Sequence, residues 1–169
     1  MTSTRAQEPV TRPAPDSERM LEVLKQFRVL LKSIKRHYQW VEEECGLSGA
    51  QIWAMAEIAA SPGLKVSELA ARLAIHLSTA SNLLRRLEQL GFAERSRIGD
   101  DQRTVQVRLS AKGKSVLRKA PRPLVGLLQQ ALSQLPAATL RSLHRDLAEV
   151  IHQMKFKDAS ARSRPLSDL

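Results

Sequence analysis

At 169 residues the chain has the length of one ordinary domain, and 43% hydrophobic with 26% charged residues is a globular composition with enough apolar surface for a core. Lys and Arg number 27 against 17 Asp and Glu, a formal charge of +10 that favours nucleic acid or an anionic membrane as partner. One cysteine excludes a disulfide framework and a multi-cysteine zinc site, and 4% aromatic residues are too few to stack single-stranded bases, so duplex DNA leads. No stretch approaches the roughly 18 consecutive apolar residues of a membrane span. Residues 1–16 lack the apolar centre of a secretory signal, so the cytoplasm is the expected compartment, with no membrane partner.

Along the chain, Pro9, Pro13 and Pro15 stand among polar residues without an apolar period, which predicts a flexible arm over 1–16. Met20, Leu24, Phe27, Leu31, Ile34, Tyr38 and Val41 then recur at alternating steps of four and three. That spacing predicts one long helix over 17–44, closed by Gly46. Leu21, Val23, Leu30 and Trp40 lie off this seam, so the helix is apolar on more than one side and needs partner helices. Ser48-Gly49-Ala50-Gln51 has the form of a capping box opening a second helix with Ile52, Trp53, Met55 and Ile58, stopped by Ser61-Pro62-Gly63.

Val66, Leu69, Ala70 and Leu73 mark a short helix, and Ala74 to Leu77 form a turn. A further helix from Ser78 to Leu90 ends at Gly91. Its inner face is Ala80, Leu83, Leu84, Leu87 and Leu90; its outer face is Ser78, Thr79, Ser81, Asn82, Arg85, Arg86 and Gln89. Short helix, tight turn and a second helix with a polar face make a helix-turn-helix pattern. Arg forks onto guanine, and Asn or Gln onto adenine. The competing reading is a solvated face in an ordinary bundle.

Residues 93–98 and 104–109 read as two strands, the second alternating with Val105, Val107 and Leu109 inward and Thr104, Gln106 and Arg108 outward. Gly99 to Arg103 have hairpin-tip chemistry, and a helix-turn-helix followed by a hairpin is a winged helix. Arg95, Arg97, Arg103 and Arg108 suit phosphate or minor-groove contact. Asp101, two residues before Arg103, is expected to hold it through a charge-assisted pair, with a plain Asx-type turn as the alternative. Lys112, Lys114, Arg118, Lys119 and Arg122 follow, either meeting flanking phosphates or forming a solvated face.

Leu124, Leu127, Leu128, Ala131, Leu132 and Leu135 form one helical stripe, within whose helical stretch Pro121 and Pro123 predict a kink or break. Leu140, Leu143, Leu147, Val150, Ile151 and Met154 form a second, with Pro136 suited to its first turn. The expected class is mainly α with a small β-hairpin wing. Its predicted parts are an arm (1–16), a helical dimerisation region (17–46 and 110–156), a winged helix-turn-helix (47–109) and a flexible tail (157–169).

Val66-Ser67-Glu68-Leu69-Ala70, the run from Ser78 to Phe92, Asp101-Gln102-Arg103 and Leu109-Ser110-Ala111-Lys112-Gly113 together resemble the MarR family, bacterial winged-helix regulators that act as homodimers. The resemblance covers about residues 17–154. It implies that the helix over 78–86 enters the major groove and that Arg103 reaches the minor groove. Two such helices would meet a pseudo-palindrome with half-sites roughly 34–36 Å apart. It further implies repression, relieved by a small aromatic carboxylate or phenolic effector in a cleft between the dimer helices and the winged domain. His37, Tyr38, Trp53 and Met55 are the candidate lining residues, with Trp40 beside them and Arg28 or Lys35 as counter-ions; core packing is the competing reading, for Tyr38 above all. Lys65, where the family often has a capping Thr, and the Pro121/Pro123 pair depart from the pattern.

Two other functions compete. A redox-responsive regulator would act through Cys45, but Glu42, Glu43 and Glu44 precede it, and their charges should raise the thiol pKa. A non-specific architectural DNA-binding protein needs charge without a reading helix, and Ser81, Asn82 and Gln89 argue against it. There is no phosphate loop, Gly-x-Ser-x-Gly elbow or His-Glu-x-x-His, and the four histidines (His37, His76, His144, His152) are scattered. No enzyme activity, cofactor or metal is expected.

Overall fold

The computed structural model describes residues 15–97 and 105–168. Helix α1 (Pro15–Cys45) runs for 31 residues, roughly 46 Å. It stops at Gly46, whose φ of +64° suits glycine and whose N–H bonds to the Glu42 carbonyl at 2.8 Å. Helix α2 (Gly49–Ala60) opens with the expected capping box. Gln51 N–H donates to Ser48 Oγ at 3.3 Å, and the Gln51 side chain accepts from Ser48 N–H at 2.9 Å. Strand β1 (Leu64–Lys65), helices α3 (Val66–Leu73) and α4 (Leu77–Gln89), and strands β2 (Ala93–Arg97) and β3 (Val105–Leu109) complete a winged helix.

The sheet is antiparallel in the order β1-β3-β2. Ala93 opposite Leu109 through Arg97 opposite Val105 is the hairpin register expected from the alternation, with Val107 and Leu109 turned inward. β1 adds Leu64 opposite Val107 and Lys65 opposite Gln106. Two residues are too short to show a period, so this strand carries no signal in the sequence. The core joins Ile52, Met55 and Ile58 of α2 to Leu69 of α3, Leu84 and Leu87 of α4, and Val107 of β3.

The Leu-Ser-x-x-Gly run locks the wing to the next helix, α5 (Ala111–Lys119). Ser110 Oγ accepts from Gly113 N–H at 3.0 Å and donates to the Gly91 carbonyl at 2.7 Å, while Ser110 N–H reaches the Phe92 carbonyl at 3.0 Å. That carbonyl lies where a Cβ on residue 113 would stand, which is why the position takes glycine.

Pro121 and Pro123 break the helical stretch rather than kink it. Ala120 leaves the helix in an extended conformation, as a residue before proline prefers, and helix α6 (Leu127–Ser133) begins seven residues later. Pro136 is the N-cap of helix α7 (Ala137–Gln153), one place ahead of the expected first turn. The segment expected as a flexible tail holds two 3₁₀ turns, Ala159–Ser163 and Leu166–Asp168. The second lies against α2: Pro165 is buried, and Ala50 N–H donates to Ser167 Oγ at 3.3 Å. A free α2 amide supplies the anchoring, which is not visible as a period.

Met20, Leu21, Val23, Leu24, Leu30 and Leu31 of α1 are exposed in the single chain, and α7 buries no residue at all. Among the described residues, no helix is long and apolar enough to cross a membrane.

Candidate nucleic-acid interface

Helix α4 is set against α3 by the turn between them. Ala74 adopts φ +52°, and its N–H and that of Ile75 return to the Ala71 and Ala70 carbonyls, both at 3.1 Å. This left-handed cap satisfies the last carbonyls of α3, and the buried Ile75 pins the turn to the core. Lys65 begins α3 without a side-chain acceptor; the Glu68 carboxylate compensates by accepting from Lys65 N–H at 2.9 Å.

With Ala80, Leu84 and Leu87 fully buried, the opposite face of α4 turns to solvent. Ser78, Asn82, Arg85, Arg86 and Gln89 are exposed, and Thr79 and Ser81 are half-buried. The Arg85 guanidinium donates to the Asn82 carboxamide oxygen, so two of the candidate DNA-contact side chains share one bond. His76 is the N-cap but makes no capping bond, leaving the positive end of α4 open to an anion. Leu77, 55% exposed at the first helical position, belongs to the same surface. It reads as turn in the sequence; its only sign was an apolar residue off the inner stripe.

The wing is more differentiated than its four arginines suggested. Arg95 is ion-paired to Glu88 of α4 at 3.1 Å, which ties β2 to the helix. Arg108 is exposed on β3. Arg97 ends β2, but its side chain, like Asp101 and Arg103 as a whole, lies outside the described residues. Lys112 is a structural cation: it donates to the Leu90 carbonyl at 2.9 Å, beyond the C-terminus of α4, and lies 4.7 Å from the Phe92 ring centre.

The four candidate effector residues have different surroundings. Met55 is fully buried in the core, and Trp53 donates through Nε1 to Glu57 at 3.0 Å. Tyr38 packs on Gly49 and accepts from Gln129 at 3.4 Å. His37 is buried, and its Nε2–H donates to the Pro123 carbonyl at 3.2 Å. Burial holds its imidazole below the ordinary histidine range, partly opposed by that bond. It borders a cleft of about 700 Å³ with Arg36, Trp40 and Arg122; Arg28 and Lys35 do not line it.

Burial raises the Cys45 thiol pKa, and Glu44 adds to it. Desolvation therefore outweighs the neighbouring charges that the sequence pointed to. Among the described residues, no three His, Cys, Asp or Glu side chains gather as a metal site.

The family profile described as MarR family matches residues 46–104, from just after α1 to just before β3. Over those residues the chain is similar to the MarR family of winged helix-turn-helix transcriptional regulators. The HTH-type transcriptional regulator SarZ of Staphylococcus saprophyticus is 29% identical over 108 residues, 64% of this chain and 71% of SarZ. The HTH-type transcriptional regulator Hpr of Bacillus licheniformis is 32% identical over 120 residues, 68% of this chain but only 55% of Hpr. In fold, the chain is similar to Sco3205, a MarR family transcriptional regulator from Streptomyces coelicolor solved in complex with DNA. That match has a TM-score of 0.56 at 22% identity and covers 89% of this chain and 95% of Sco3205. A mainly helical chain with a small antiparallel wing is thus a MarR-family fold, and the family is one of regulators rather than enzymes.

Proposed function

We propose that this MarR-family protein represses transcription by binding a pseudo-palindromic operator as a homodimer in the cytoplasm. The outward face of α4 carries the proposal: a fully buried inner stripe holds Ser78, Thr79, Ser81, Asn82, Arg85 and Arg86 on one solvent-facing surface. In this reading Asn82 forks onto an adenine and Arg85 onto a guanine. Ser78, Thr79, Ser81 and Arg86 meet phosphates or neighbouring base edges, and the positive end of α4 faces the backbone. Arg97 and Arg103 reach from the wing towards the minor groove, with Asp101 holding Arg103.

The dimer is supported by the apolar surface left open on both terminal elements. A 17-residue helix with no buried residue cannot be stable on propensity alone, and a second copy offering the same α1 and α7 faces would cover it. Two recognition helices held by one two-fold axis then read two half-sites about one helical turn apart. Release by a small molecule follows if the ligand binds better to a conformation whose α4 pair misses that spacing.

The test is the ratio of operator to random-duplex affinity at physiological salt, with the operator found by footprinting the protein's own and adjacent promoters. A sequence reader gives a ratio of about 10³ or more and a symmetric footprint. A ratio near one would instead assign an architectural role.

A further inference from the structure

Among the described side chains between Gly46 and Ala120, Leu77 is the one large hydrophobic residue left exposed, at 55%. The others all lie on α1, α6, α7 and the segment that follows, outside the winged helix. A lone surface leucine is ordinary by itself, so its position decides what it can do. Leu77 is the first residue of α4, and Ser81 and Arg85 follow it at steps of four, so the three stand in one column on the helix surface. Its neighbours His76 and Ser78 are exposed as well. The turn before it is held in place: Ile75 is buried, and the N–H groups of Ala74 and Ile75 return to carbonyls of α3. Leu77 is thus an apolar side chain fixed at the leading end of a face whose other members all offer hydrogen bonds.

We propose that Leu77 reads a thymine, through contact with its C5-methyl group in the major groove. This rests on the operator-binding function proposed above and adds to it a base position that the polar side chains of α4 do not read. Base edges in the major groove present donors and acceptors, and the thymine methyl is the one apolar group among them. Leucine offers neither donor nor acceptor, so a cytosine amino group or a purine edge pressed against it loses water without gaining a partner. A thymine methyl suffers no such loss and buries apolar surface on both sides of the contact. The preference comes from what leucine rejects as much as from what it touches. Because Leu77 precedes Ser81 and Arg85 in the column, the thymine lies beside the base pairs that those residues meet in each half-site.

The experiment uses the full-length protein and the footprinted operator, with each thymine of the half-site replaced in turn by uracil, symmetrically in both half-sites. Uracil keeps every hydrogen-bonding group of thymine and lacks only the methyl. Fluorescence anisotropy at one fixed salt concentration should find a thymine whose replacement weakens the parent about fourfold per half-site, the effect of one buried methyl group. Leu77→Ala should bind the thymine operator correspondingly less tightly, and the same replacement should then cost it less than about 1.5-fold. Leu77→Met, which keeps an apolar side chain of similar volume, should retain most of the preference for thymine. Random-duplex affinity should be the same for the parent and both variants. If the parent senses no thymine methyl, or if uracil costs the parent and Leu77→Ala equally, the proposal is overturned. A loss in Leu77→Ala that is equal on operator and random duplex would also overturn it, making Leu77 a support for α4 and not a reader. Failure of the operator-binding function shows separately, as an operator-to-random ratio near one in the parent; a ratio of about 10³ or more with no Leu77-dependent methyl effect removes this proposal alone.

Discussion

Replacing Asn82 by alanine separates reading a sequence from merely holding DNA. Asn82 is exposed on α4 and its recorded side-chain partner is Arg85. Truncation therefore opens no cavity and, because alanine is the better helix former, should leave unfolding free energy within about 0.5 kcal/mol of the parent. A bidentate amide-to-adenine contact supplies about 1–3 kcal/mol of discrimination, so one half-site loses roughly 5- to 150-fold in affinity. Two half-sites in a dimer could double that free energy. The amide is uncharged, so random-duplex affinity and the salt slope should stay unchanged. Fluorescence anisotropy on operator and scrambled duplexes, from about 50 to 200 mM salt, measures both. Equal losses on the two duplexes, or no loss on either, would refute the role given to this face.

The remaining predictions concern the scaffold. Gly113→Ala should destabilise the protein by about 1–3 kcal/mol, because the added Cβ meets the Phe92 carbonyl, backbone that cannot swing away; an unchanged midpoint in urea would contradict the close approach. Ala74→Gly should stabilise by about 1 kcal/mol by relieving a left-handed φ of +52°, less the entropy that glycine adds to the unfolded chain. A lower melting temperature would count against that balance. Because His37 is held below its ordinary pKa of about 6.5, the unfolded chain takes up the proton first. Its contribution to stability is complete above that pH and declines as pH falls from there towards the folded value. His37→Asn should flatten the stability profile between about pH 7 and 5, and an unchanged slope in urea melts would exclude His37 as its source.

Where a pattern repeats, the sequence was sufficient. The inner and outer faces of α4 separate cleanly at helical period, the alternation over Val105, Val107 and Leu109 gives strand and register together, and Ser48 with Gln51 marks the start of α2. Each is a local relation between a residue and neighbours a few positions away, which is also the range over which secondary structure forms. Contacts between distant segments left no such trace. Strand β1 exists because β3 offers it an edge, Lys112 is taken by the Leu90 carbonyl, and Ser167 settles on α2.

His37, Tyr38, Trp53 and Met55 are candidate effector residues in the sequence, and in the folded chain Met55 packs in the core while the other three have separate hydrogen-bond partners. Arg108, Lys114, Arg118 and Arg122 look like a diffuse basic run, yet the chain brings them around one apolar hollow. The amino-acid order alone therefore determined the class of molecule and the polar and apolar faces of α4, because both follow from short-range periodicity. Which side chains are consumed by the scaffold and which are left facing a cavity was decided only on folding, because burial depends on what the rest of the chain lays over each residue.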